Sequence, residues 1–147
     1  MEKKKAVREM FENGMGHMRK DDYINAIFCF EEMVNMSDRS ADSLSILGLA
    51  MARGKVDFAL AEKHCTEALD KAPQVADYYR CLGEVYVAWG KKQKAIWILN
   101  KGLAVDGDKG NVKKDLGKLG TRQKPSIPFL DRSNILNIYL GRLKSKL

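Results

Sequence analysis

Apolar positions in this chain fall at helical spacing, and a ladder of small residues runs through them. Gly14, Gly48 and Gly83 stand 34 and 35 residues apart. Ala26, Ala61 and Ala95 follow those glycines by 12, 13 and 12 residues, and four positions after each alanine comes a larger side chain, Phe30, Cys65 and Leu99. Two independent spacings that agree mark an internal repeat, and a unit of this length cannot cover its apolar faces alone. Small residues opposite large ones predict two antiparallel helices per unit. The glycines and alanines permit close approach, while Tyr23, Phe30, Phe58, Tyr86, Leu99 and Leu103 fill the gaps. Gly54 and Gly90 fall where each first helix should close, so a positive φ is expected at both. Pro73 should stop the second helix of the middle unit, and the longer interval between Gly48 and Ala61 implies one extra residue within Ala52–Asp57.

The two clearest copies read Leu47-Gly48, Met51, Gly54, Ala61, Ala68-Leu69 and Pro73, then Tyr79, Leu82-Gly83, Tyr86, Gly90, Ala95, Leu99 and Gly102-Leu103. This resembles the tetratricopeptide repeat (TPR), a helix-turn-helix unit of about 34 residues. A first copy, with Met10, Gly14, His17, Tyr23, Ala26, Phe30 and Met33, lacks the leading Leu and the closing Pro. The resemblance implies an all-α fold: a right-handed superhelix (α-solenoid) of three TPR hairpins, about 7–40, 41–75 and 76–108, whose first helices line a concave surface.

Beyond the turn cluster Asp106-Gly107-Asp108, Val112, Leu116 and Leu119 form one apolar stripe, with Lys113, Lys114, Asp115 and Lys118 outside it. We read 109–119 as the helix that caps the stack and completes a body of residues 1–119. The remainder, 120–147, reads as a basic extended segment and a short C-terminal helix. Two prolines between Gly120 and Asp131 favour extended chain, and Asp131 or Ser133 would cap a helix from Asn134 to about Leu143. Its face of Ile135, Ile138, Tyr139, Leu140 and Leu143, with Ile127, Phe129 and Leu130 before it, needs a partner. Two readings stand side by side: these residues pack on the chain's own solenoid, or they dock to another protein. A short repeat body with such a tail is similar to small bacterial repeat proteins.

Charge separates body from tail. Residues 1–109 hold 17 Lys+Arg and 17 Asp+Glu, whereas 110–147 hold 9 and 2, which is the whole net charge of +7. A basic tail suits nucleic acid, an anionic membrane surface or an acidic protein, and Lys113, Lys114, Lys118, Arg122, Lys124, Arg132, Arg142, Lys144 and Lys146 would carry it. No aromatic platform lies among these cations, so nucleic acid is the less favoured partner. No export signal or membrane span is visible, and three scattered cysteines, Cys29, Cys65 and Cys81, without a CxxC pair, read as reduced core residues of a cytoplasmic protein.

No triad, metal cluster or phosphate loop can be assembled, so no enzyme activity, metal or cofactor is expected, and His17 and His64 read as structural. The repeat register instead points to binding. In the first unit the residues expected to face the groove are Arg8, Phe11, Met15, Met18 and Arg19; in the second, Asp42, Ser45, Leu49, Ala52 and Arg53; in the third, Asp77, Arg80, Glu84, Val87 and Ala88. The groove is then apolar at one end and mixed in charge at the other, which suits an extended or helical peptide with hydrophobic anchors. The expected function is a non-catalytic adaptor or scaffold that holds a peptide or helix of a partner protein. One alternative is a chaperone-like holder, similar to bacterial secretion chaperones; another is tail-mediated binding to nucleic acid or an anionic surface. The clamp with which TPR cochaperones hold acidic chaperone tails is missing, because Phe11 and Met15 occupy its first-repeat places. A monomer or weak homo-oligomer is expected.

Overall fold

A computed structural model describes residues 1–106 and 111–119. Its elements are α1 (Glu2–Met18), α2 (Tyr23–Met36), α3 (Ala41–Arg53), α4 (Phe58–Lys71), α5 (Ala76–Ala88), α6 (Lys92–Asp106) and α7 (Asn111–Leu119), with no strand among the described residues. Consecutive helices pair as α1/α2, α3/α4 and α5/α6, and neighbouring pairs stack through α2 on α3, α3 on α5 and α4 on α5. The result is an α-solenoid of helical hairpins, and Met1–Leu116 forms one compact unit.

Each hairpin turns by the same device. The backbone N–H of Asp22 donates to His17 O at 3.0 Å, that of Val56 to Met51 O at 3.1 Å and that of Lys91 to Tyr86 O at 2.8 Å. These bonds bracket a left-handed residue, Asp21 (φ 57°), Lys55 (φ 54°) or Gly90 (φ 79°), seven positions after Gly14, Gly48 or Gly83 in turn. The expected positive φ at Gly54 is therefore a correction: its φ is −76°, and the left-handed place belongs to Lys55. Gly54 is small for another reason, since a Cβ there would stand 2.9 Å from Cβ of Tyr23 in the preceding hairpin. The extra residue of the middle unit is Val56, inserted between the left-handed Lys55 and Asp57. Asp57 then caps α4 by accepting from Leu60 N–H at 2.9 Å, as Asp22 caps α2. Helix α4 ends at Lys71, two residues before Pro73.

The small-to-large ladder is the core of each hairpin. A Cβ on Gly14 would enter the Phe30 ring, one on Gly48 would meet Cys65 Sγ at 2.5 Å, and one on Gly83 would meet Leu99 Cδ2 at 2.7 Å. Phe30, Cys65 and Leu99 are buried, as are Ala26, Ala61 and Ala95. The thiol is the smallest filler of the three, and there the helices come closest: a Cβ on Gly48 would also stand 2.8 Å from the carbonyl oxygen of Ala61. Cys65 Sγ is 3.8 Å from the Ser45 carbonyl oxygen, and burial pushes its pKa well above that of a free thiol. In α7, Val112 is fully buried, with its Cγ1 3.5 Å from where a Cβ of Gly102 would lie.

Candidate functional site

Between the second and third hairpins the first helices form the tighter layer. Helix α3 packs directly on α5, whereas α4 and α6 make no comparable contact, so this part of the stack is shorter on the first-helix side. Polar side chains bridge that layer. Tyr78 Oη donates to Asp42 Oδ1 at 2.5 Å, and Arg53 reaches Glu84 Oε2 with Nε at 3.1 Å and Nη2 at 2.9 Å. Arg80 Nε donates to Asp115 Oδ2 at 2.9 Å while its Nη1 reaches Asp77 Oδ1 at 3.0 Å. Burial raises the Tyr78 pKa and the Asp42 carboxylate raises it further. Burial opposes the charge of Arg80, but Asp115 and Asp77 together raise its pKa above the usual arginine value. Asp42 and Arg53 lie on α3, Asp77, Arg80 and Glu84 lie on α5, and each already holds a partner within the protein.

Helix α1 differs. It packs on α2 but makes no comparable contact with α3. The register explains the missing bridges: Leu49 stands in the middle unit where Glu84 stands in the third, so Arg19 has no counterpart to the Arg53–Glu84 pair. Likewise Ser43 stands where Tyr78 does, so Arg8 has nothing to match the Asp42–Tyr78 bond. Arg8 and Arg19 are exposed, Phe11 is 38% exposed and Met15 is half-buried. Met18, Ser45 and Leu49, read from sequence as groove contacts, are buried, and Ala52 is too. They are corrected to floor and packing residues, because the apolar spacing that puts them on the inner helices also lets the neighbouring helices close over them. Val87 and Ala88 are exposed.

Sequence reasoning missed Tyr78 and Asp115 as partners, since both pairings join residues about 35 positions apart and only one member of each bond was placed on the groove. The repeat register was the available signal, since each of Asp42–Tyr78 and Arg53–Glu84 joins the first helix of one unit to the first helix of the next. His17 Nδ1 lies 2.9 Å from Asp22 Oδ2 at the first turn. Asp22 has its pKa lowered first by the side chain of Asn25 and also by His17. His64 Nδ1 is buried without a hydrogen-bond partner, and burial lowers its pKa. Among the described residues no group of three His, Cys, Asp or Glu side chains is placed to hold a metal ion, and no helix is long and apolar enough to cross a membrane. The tail residues Ile127, Phe129, Leu130, Ile135, Ile138 and Tyr139 lie outside the described residues.

No protein-family model matches the sequence, and no curated protein matches it. Solved structures do. The TPR2B domain of yeast Sti1, in a complex with pHsp70, is 22% identical with a TM-score of 0.67, over 78% of this chain and 92% of that one. The Sgt2 TPR domain of Aspergillus fumigatus is 17% identical with a TM-score of 0.68, over 77% and 76%. A mutant O-GlcNAc transferase of Thermobaculum terrenum is 19% identical with a TM-score of 0.70 over 81% of this chain, which spans only 23% of the transferase. At these identities the likeness is one of fold: the protein is a helical repeat protein with the TPR architecture.

Proposed function

We propose that the protein is a non-catalytic adaptor that holds a peptide or helix of a partner protein on the face of its first helices. The observation that carries this reading is the contrast along that face. Between α3 and α5 the charges are spent on one another, while α1 presents exposed Phe11, half-buried Met15 and the cations Arg8 and Arg19, which have no ion-pair partner among the described residues. An apolar anchor rimmed by charges that have no internal partner suits a peptide bearing a large apolar side chain and nearby carboxylates. The yeast Sti1 domain of the same fold is in a complex with pHsp70, which supports a peptide-holding role.

The paired residues are poor probes of this idea, since reversing Arg53 or Arg80 breaks internal ion pairs before it touches any ligand. Arg8→Glu combined with Met15→Asp is the cleaner variant. In affinity capture from native lysate, we expect it to reduce recovery of the bound partner at least about tenfold while circular dichroism and thermal unfolding stay unchanged. Undiminished recovery by the folded variant would remove α1 from the binding face.

A further inference from the structure

The repeat register also specifies which positions of the second helices the fold leaves in water. Two residues after each core alanine come Phe28, Lys63 and Trp97; two residues before come Ile24, Ala59 and Gln93. All six are exposed. In the middle hairpin this outer row is small or polar, as an outer row should be. In α2 it is not: Ile24 is 68% exposed and Phe28 63%, one helical turn apart. Nothing in the packing of the solenoid requires large apolar side chains there, because the same register is served by Ala59 and Lys63 one repeat later.

The charges carried by α2 itself and by the two residues before it have one sign. Helix α2 contains Glu31 and Glu32 and no Lys or Arg, and Asp21 and Asp22 precede it. Glu31 follows Phe28 by three positions on the same exposed row. The cation that acts on Tyr23 at the start of the helix, Arg53, is already paired with Glu84. An apolar stripe with an anionic border disfavours a second copy of itself, since α2 against α2 would bring Glu31 and Glu32 near their own images.

We propose that the outer face of α2 is a second interaction surface, separate from the first-helix groove, which receives a cationic amphipathic helix of another protein. Its apolar residues lie across Ile24 and Phe28, and its Lys or Arg side chains meet Glu31, Glu32 and Asp21. The groove and this face lie on opposite helix layers of the same hairpin, so the protein can join two partners rather than hold one.

The test uses the full chain and a fluorescent peptide of about 18 residues built from leucine and lysine with a helical apolar stripe, beside a twin in which glutamate replaces lysine. We expect the cationic peptide to bind and the anionic twin to bind at least about tenfold more weakly, with the difference shrinking as salt rises. Ile24→Glu with Phe28→Glu should weaken the cationic peptide at least about tenfold, and Glu31→Lys with Glu32→Lys should weaken it and flatten the salt dependence. Arg8→Glu with Met15→Asp should leave it unchanged. Arg8, Ile24, Phe28 and Glu31 are exposed and Met15 and Glu32 half-buried, and thermal unfolding verifies that each variant folds. Equal affinity for the two peptides, or binding indifferent to the α2 variants, overturns the proposal. So do the other occupants: self-association of the wild-type chain that Phe28→Glu abolishes would assign the face to a second copy. Protection of the basic residues beyond 120 from trypsin, lost in Phe28→Glu, would assign it to the chain's own C-terminal segment.

Discussion

At the scale of single residues, identity matters most where two helices leave no room. Gly48 and Gly16 are both helical glycines with opposite roles. A Cβ at Gly48 collides with a thiol and with a backbone carbonyl, whereas at Gly16 the nearest neighbour is Arg19 Nη2 at 4.0 Å. Gly48→Ala should destabilise the fold by about 1–3 kcal/mol through overpacking, and Gly16→Ala should stabilise it by about 0.5–1 kcal/mol by removing backbone freedom from the unfolded chain. Chemical denaturation of the two variants checks both signs. His64 sets a pH dependence. Burial first, then Arg39 and Lys63, lower its pKa below the ordinary 6.5, while Glu67 acts the other way. The unfolded chain therefore takes up a proton that the folded chain resists, so stability is undiminished above pH 6.5 and declines as pH falls below it. Thermal unfolding between pH 7.5 and 5 should show this decline, and His64→Leu should reduce it. An identical pH profile in the variant would acquit His64.

At the scale of elements, the turns form a controlled series, with Asp21, Lys55 and Gly90 in one left-handed register. Only glycine adopts that conformation without strain, so Lys55→Gly should stabilise and Gly90→Ala should destabilise the protein, each by about 1 kcal/mol. Denaturant midpoints of the two variants test the pair; a shift of the same sign in both would contradict the shared turn geometry. The turns also mark where the sequence was readable. The intervals located the extra residue to a span of six positions, Ala52–Asp57, and the hydrogen bonds narrowed it to Val56. A glycine near a helix end suggested the wrong left-handed residue, because Gly54 serves the approach of Tyr23 rather than the turn.

At the scale of the whole molecule, the hairpins are not equally tied. Contacts between first helices and the bonds Asp42–Tyr78 and Arg53–Glu84 join the second and third hairpins, and neither has a counterpart between α1 and α3. In a linear repeat array stability is a sum of local and nearest-neighbour contributions, so the first hairpin should open most readily. Native-state hydrogen exchange should find the core amides of α1 exchanging at least about tenfold faster than those of α3 and α5, and equal protection would contradict this ranking. The helix with the weakest ties is also the one that presents Phe11, Met15, Arg8 and Arg19, so ligand binding there should slow its exchange.

The sequence alone determined the repeat, the number of hairpins and the pairing of each glycine with its filler, because those depend on side-chain size at fixed helical spacing. It also assigned the candidate groove residues to the first helix of each hairpin. Only the tertiary structure decided which of them remain available. Whether Arg53 meets Glu84 while Arg19 meets no partner among the described residues, and whether Leu49 is surface or floor, depends on how closely neighbouring hairpins approach, and that distance is set by contacts between residues about 30 positions apart.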